Sequence, residues 1–336
     1  MIKRFQVMGM IMRLGIVGSG NIVKCCIDAV QQTDSVQIVA LCVLERNIET
    51  GKLLQSEHHI DRLYTNYEQF LADPEIDFVY LGIPNSLHFP YSLKALQADK
   101  HLICEKPFTT DLNELKQLAD LAKAKRRFLF EAITTIYSPN VCWIKEHLNE
   151  IGQIKLIQSN YSQYSSRYDQ YLSGNVHPAF DPAMSGGALY DINIYNVHLS
   201  CFLFGQPAQV EYFCNKGFNG IDTSGVLVMQ YPDFVSVCSG AKDSASPSQT
   251  LIQGEKGYIR LTSAPNTALS VEISTSAGFQ TIDLNQYANR MVSELNAFAQ
   301  MFNAGDYDTC YRNLDHSLSV MHVLTDARNK AGISFL

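Results

Sequence analysis

Between Arg13 and Ile133 short apolar runs alternate with amphipathic stretches, and this rhythm confines the first part of the chain to strand-helix units on a parallel sheet. The runs predict strands at 13–18, 36–44, 77–82, 100–104 and 127–133, with a weaker one at 61–65. Amphipathic stretches at 20–32, 46–56, 86–98 and 111–125 predict the helices between them. The last begins at a Thr110-Asp111 cap and repeats leucine at 112, 115 and 118. These features describe a doubly wound α/β unit.

After Pro139 the period changes. A helix is expected at 141–149, a Tyr/Ser-rich strand at 153–165, an irregular stretch to Gly187 and a helix at 188–204. Seven strands follow, at 208–215, 224–231, 234–241, 249–254, 257–262, 268–275 and 278–284, and helices at 289–304 and 312–330 close the chain. Short turns such as Pro232-Asp233 and Gly254-Glu255-Lys256-Gly257 favour antiparallel neighbours. This half reads as α+β, an open and largely antiparallel sheet with helices. At 336 residues the chain has room for two cores. The expected division is 12–133 for a dinucleotide-binding Rossmann unit and 134–336 for a substrate-binding and dimerisation unit. Residues 1–11 would form an extension, with Met8, Met10 and Met12 as alternative starts.

Charge and cysteine usage exclude several classes. Lys and Arg total 26 against 33 Asp and Glu, a net charge of −7, so no field attracts phosphate backbones or anionic lipid. No run of about 18 apolar residues crosses a bilayer. Lys3 and Arg4 precede a mildly apolar stretch, but it flows into Gly15-Ile16-Val17-Gly18 without a small-residue cleavage site. Nine cysteines form no Cys-x-x-Cys and lie mostly in apolar strings, which reads as buried thiols in a reducing cytoplasm. His58-His59 is adjacent rather than ligand-spaced, and no metal site is expected.

Gly18-Ser19-Gly20-Asn21-Ile22-Val23 ends one predicted strand and opens a helix. The first glycine permits a tight turn, the second lets backbone approach a pyrophosphate, and the helix N-terminus offers unpaired N–H groups. Val23 replaces the third small residue, so helix-on-strand packing is less well served. At the end of the second strand Glu45 suits the ribose hydroxyls of NAD and Arg46 the 2′-phosphate of NADP. The choice between the cofactors stays open.

Beyond the strand at 100–104 stands Glu105-Lys106-Pro107, where ligands of an open parallel sheet lie. Desolvation there favours loss of the Lys106 proton and a part in general-base catalysis. The preceding strand ends in Pro84-Asn85-Ser86-Leu87-His88. A later glycine-rich stretch, Gly186-Gly187-Ala188-Leu189-Tyr190-Asp191, leads into a helix that places Asp191, Tyr195 and His198 at i, i+4 and i+7, on one face. An acid, a phenol and an imidazole so aligned suit the orientation and deprotonation of a hydroxyl.

From Met12 onward these pieces, in this order and spacing, resemble the glucose-fructose oxidoreductase / inositol dehydrogenase / rhizopine-catabolism (Gfo/Idh/MocA) oxidoreductases. The resemblance implies that Lys106 is catalytic and that Glu105, Pro107, Pro84, Asn85 and His88 shape the cofactor site with Gly18, Gly20, Asn21 and Ile22. Tyrosine at 195 is similar to the branch of dimeric dihydrodiol dehydrogenase, D-xylose dehydrogenase and glucose-fructose oxidoreductase. That likeness makes Tyr195 the acid/base, Lys106 its electrostatic partner and Asp191 a substrate-orienting group. The branch usually carries Trp and Arg within the segment 131–139, where this chain has Thr134 and Ile136; Arg167, Tyr168 and His177 are candidates to compensate.

The resulting expectation is a cytoplasmic NAD(P)-dependent oxidoreductase acting on a sugar, polyol or cyclic diol. Lys106, Asp191, Tyr195, His198 and Arg167 would meet the substrate. A homodimer would cover the open sheet. A non-catalytic cofactor sensor and a redox-assisted glycoside-cleaving enzyme stand as alternatives.

Overall fold

The computed structural model describes residues 10–335. The first nine residues of the expected extension, Met8 among them, lie outside that range. Met10 and Ile11 are exposed, and Met12 starts the first strand fully buried.

The first sheet has six parallel strands: β1 (Met12–Val17), β2 (Val36–Cys42), β3 (Arg62–Tyr64), β4 (Phe78–Leu81), β5 (His101–Glu105) and β6 (Leu129–Ala132). Their spatial order is β3-β2-β1-β4-β5-β6, so the chain reverses direction across the sheet between β1 and β4 and leaves a crevice at their carboxyl ends. Phe78, Val79, Tyr80 and Leu81 of β4 are all buried, as a sheet covered on both faces requires. The helices are α1 (Asn21–Val30), α2 (Ile48–His58), α3 (Tyr67–Leu71), α4 (His88–Gln97) and α5 (Leu112–Lys125). The short α3 was not foreseen; Asn66 caps it by accepting the Gln69 N–H at 2.9 Å.

Val23 does not loosen the packing of α1, because the missing space is found elsewhere. A Cβ on Gly82, just beyond β4, would lie 2.7 Å from Val23 Cγ2. The small residue has moved from the helix to the neighbouring strand end.

The second half contains α6 (Pro139–His147), β7 (Ile154–Ser162), α7 (Tyr168–Leu172), a π turn (Leu189–Asn193) and α8 (Ile194–Phe204). There follow β8 (Gln209–Lys216), β9 (Asp222–Gln230), β10 (Val235–Ala241), β11 (Gln249–Gly254), β12 (Gly257–Leu261), β13 (Val271–Thr275) and β14 (Gly278–Ile282). They form an eight-stranded sheet ordered β14-β13-β12-β11-β7-β10-β9-β8. Neighbours are antiparallel except β7 and β10, which run parallel. Ile157, Ile252, Ile259 and Ile273 stand opposite one another across β7, β11, β12 and β13, all buried. The alternation buries one sheet face under helices and leaves the other outward.

Helices α9 (Met291–Ala304) and α10 (Tyr307–Lys330) end the chain. Although α9 falls within 134–336, it packs on the first sheet. Phe298 stacks on Phe130 with centroids 4.4 Å apart, and Phe302 meets Phe78 edge-on at 5.0 Å. Burying a ring such as Phe298 contributes about 1.5–3 kcal/mol, enough to draw this helix back to the first core.

Candidate active site

Gly18 stands at φ +117, a region side chains rarely adopt, and a Cβ there would lie 2.3 Å from the Gly82 carbonyl oxygen. Gly20 opens onto free space and is the N-cap of α1, with no side chain capping the helix. Backbone donors and the positive end of the helix dipole therefore face a cleft of about 510 Å³, lined by Gly18, Ser19, Gly20, Leu44, Arg46 and Pro84 among others. These features fit a dinucleotide: backbone can approach its pyrophosphate where a side chain would intrude. Arg46 is part of the lining and Glu45 is not.

A second cavity, about 230 Å³, opens where β5 ends. Lys106 Nζ donates to the Asp191 backbone carbonyl at 2.7 Å and to Asp191 Oδ1 at 3.2 Å. It also lies 5.0 Å from the centre of the Tyr195 ring. Lys242 approaches the other oxygen, Asp191 Oδ2, at 2.7 Å, donates to the Ala179 carbonyl and covers the Phe180 ring at 4.3 Å. Two cations thus bracket one carboxylate. Asn193 and Asn196 anchor the segment carrying Tyr195, donating to the Cys238 and Ser239 carbonyls at 2.9 Å each.

The parallel β7/β10 pair explains why the second sheet reaches this cavity. Parallel strands share a carboxyl end, so Tyr161 and Gln163 from β7 and its continuation arrive beside Lys242, the residue after β10. Sequence reading missed Lys242, Tyr161, Gln163, Asn266 and Arg290, all part of the lining. A lysine immediately after a predicted strand and an arginine opening a predicted helix were the available signals.

Electrostatics assign charge states. Burial opposes ionisation of Asp191, but Lys242 and then Lys106 hold it well below the carboxylate range. Burial also pulls Lys106 down, yet Tyr195, Asp191 and Glu105 together raise it above the usual lysine value. The expected loss of the Lys106 proton is therefore corrected: the acidic neighbours outweigh desolvation and the amine stays a cation. Burial raises Tyr195 above the ordinary phenol value, with Lys106 and Arg290 pulling the other way. Glu105, whose carboxylate accepts the Tyr80 hydroxyl at 2.6 Å, is lifted to about 7 by burial.

The other expected residues divide by position. Asn21 and Ile22 form the first turn of α1. Asn85 donates to the Ser185 carbonyl at 3.0 Å and ties the two halves together. His88 is fully buried, its ring nitrogens 2.7 Å from the Pro107 carbonyl and 2.9 Å from that of Ile83. It fastens the loop after β4 to the loop carrying Lys106, so its expected contact with cofactor gives way to a scaffold role. His198 is also corrected. His198 lies in α8 and is not part of the cavity lining that holds Asp191 and Tyr195. It is completely buried, 3.1 Å from His316 Nε2 and 3.5 Å from Glu131 Oε1. Arg167 is exposed and outside the cavity lining, whereas its neighbours Ser165 and Ser166 belong to it.

A dinucleotide cradle on a parallel sheet, with lysine, carboxylate and phenol gathered at the same rim, defines a nicotinamide-dependent oxidoreductase acting on CH–OH groups. Residues 12–132 match the oxidoreductase family with NAD-binding Rossmann fold, and residues 146–260 match the GFO/IDH/MocA C-terminal domain. The chain belongs to the GFO/IDH/MocA oxidoreductase family. It is 29% identical to scyllo-inositol 2-dehydrogenase (NADP(+)) of Bacillus subtilis, covering 96% of this chain and 98% of that one. It is 26% identical to D-xylose 1-dehydrogenase (NADP(+)) of Hypocrea jecorina, covering 96% and 93%. The solved structure of levoglucosan dehydrogenase in complex with NADH and levoglucosan shares the fold, with a TM-score of 0.84 at 18% identity over 96% and 97% of the two chains. No described helix is long and apolar enough to cross a membrane.

Proposed function

We propose that this enzyme interconverts a hydroxyl and a carbonyl on a polyhydroxylated ring, a sugar, cyclitol or cyclic diol, with NADP as the preferred cofactor. The observation that carries the reading is the meeting of Lys106, Asp191 and Tyr195 in one cavity at the carboxyl edge of the dinucleotide-binding sheet. Gly18, Gly20, Asn21 and Ile22 would hold the pyrophosphate of a nicotinamide dinucleotide, which when bound would supply the hydride chemistry. Lys106, fixed as a cation, stabilises negative charge on the reacting oxygen. Tyr195 gives its phenolic proton to that oxygen during reduction and takes one back during oxidation. Asp191, kept ionised by two lysines, accepts hydrogen bonds from substrate hydroxyls and sets the orientation of the ring. Arg46 supports NADP: it lines the cleft and Glu45 does not, so of the two it is the guanidinium that is offered to a 2′-phosphate.

We assign residues 12–133 to cofactor binding and 134–336 to substrate and subunit contacts, with α9 returning to the first unit. The relatives' printed activities, on an inositol and on xylose, support the substrate class. The nine free cysteines support a reducing, cytoplasmic setting. A homodimer through the outward sheet face agrees with the exposed cross-strand pair Phe213 and Val226; a monomer mass by light scattering refutes it.

The test of the function is nicotinamide absorbance with NADP and NAD offered separately against aldoses, inositols and cyclic diols. Turnover that is lost in Lys106→Ala, and an NADP preference that is lost in Arg46→Ala, are expected. Tight cofactor binding with no turnover on any member of the panel overturns the assignment.

A further inference from the structure

Beside the catalytic cavity lies another of about 360 Å³, and Asn266 and Arg290 line both. The catalytic cavity alone, at about 230 Å³, is smaller than the roughly 300–1,000 Å³ usual for small-molecule sites. The two adjoining spaces together reach that range.

The wall of the outer cavity is a built one. Asn285 donates to the Ala268 and Leu269 carbonyls at 3.0 Å each, and the Leu284 N–H donates to Asn140 Oδ1 at 2.8 Å. Asn289 donates to the Cys25 carbonyl at 2.9 Å, which pins the far end of the segment to α1. On the shared wall Thr134 donates to the Asn266 backbone carbonyl at 3.1 Å. Asn266 itself is buried, and its side-chain oxygen has no partner among the described residues.

The chemistry of the lining selects a ligand class. Hydroxyls of Ser138, Thr267 and Ser270 and the amides of Asn285 and Gln286 offer both donors and acceptors, and Tyr287 adds a half-exposed ring. One carboxylate, Asp283, stands in the same lining as the single guanidinium of Arg290. Balanced charge disfavours a phosphate or carboxylate group and suits a neutral polyol. We propose that the substrate carries two linked rings: the reacting ring occupies the Lys106–Tyr195 cavity, and a second neutral sugar or cyclitol ring fills the outer one across Asn266 and Arg290. The inference rests on the dehydrogenase reading and extends it to glycosides.

The experiment is calorimetric titration of the NADPH-saturated full-length protein with D-glucose and with maltose, cellobiose, isomaltose and galactinol. It is repeated on Thr267→Trp, which puts bulk into the outer cavity from an exposed position outside the catalytic lining. At least one two-ring compound should bind about tenfold tighter than D-glucose. Thr267→Trp should erase that advantage and leave D-glucose binding unchanged. Two-ring compounds that bind no better than glucose, or equal binding to both proteins, overturn the proposal. So does a weaker affinity for NADPH in Thr267→Trp, since the outer cavity would then belong to the cofactor. Two-ring binding of the expected kind, with no oxidation of that compound when NADP or NAD replaces NADPH, sinks the dehydrogenase reading and leaves the two-ring site standing.

Discussion

Replacing Lys242 by methionine should weaken the fold by about 2 kcal/mol at neutral pH, through Asp191. Lys242 is 3% exposed in its side chain and lies 2.7 Å from Asp191 Oδ2. Breaking a buried ion pair costs about 3–5 kcal/mol when the survivor is left without a partner. Here Asp191 is 35% exposed and keeps Lys106 at 3.2 Å, so we take roughly half of that cost. The effect has a defined pH window. The folded-state pKa of Asp191 is depressed, so its contribution is present above the ordinary carboxylate value of about 3.9 and fades as pH falls below it towards the folded value. The assay is a double-mutant cycle by urea unfolding at pH 7, with Lys242→Met, Asp191→Asn and the pair. Lys242 also meets the Ala179 carbonyl and the Phe180 ring. Losing those contacts costs the same in both backgrounds and cancels in the cycle. A coupling energy near 2 kcal/mol is expected. Additive losses would refute the reasoning and make Lys242 a packing residue.

Because burial raises the Tyr195 phenol despite Lys106 and Arg290, oxidation, which needs the phenolate, should speed up with pH and reach no plateau below about pH 10, while reduction should slow. Tyr195→Phe should lower kcat/KM by about 10²–10⁴ and flatten that profile; a plateau near neutral pH in the unaltered enzyme would move the proton to another group. Gly82→Ala should destabilise the first unit by about 1–3 kcal/mol through contact with Val23, and Val23→Ala should restore most of it. Equal losses in both backgrounds would show that Val23 is not what Gly82 accommodates.

The parts of this molecule written in local periodicity were legible. All six strands of the first sheet lie within two residues of their predicted ends, and the turn at Gly18 sits where strand meets helix. Lys106 and Tyr195 were recognisable because each stands at a definable place, one after a strand and the other on a helix beyond glycines. Where the reading departed from the structure, a distant residue intervened. Val23 looked like a packing fault until Gly82, from the next parallel strand, made room for it. His198 looked like a site residue until His316, 118 positions away, and Glu131 enclosed it in the core.

The sequence by itself determined two sheet-forming halves, the dinucleotide turn and a lysine, a carboxylate and a phenol suited to moving a proton. These follow from chain geometry over a few residues, where side-chain period and backbone freedom act without knowledge of the rest. Tertiary structure decided which charges share a cavity. The docking of the π turn and α8 on β10, through Asn193 and Asn196, brings Asp191 to Lys242, and the return of the chain at α9 brings Arg290 to the same wall. Charge states follow from such meetings, because a buried amine keeps or loses its proton according to the acids that long-range folding sets around it. Lys106 is a cation here for that reason.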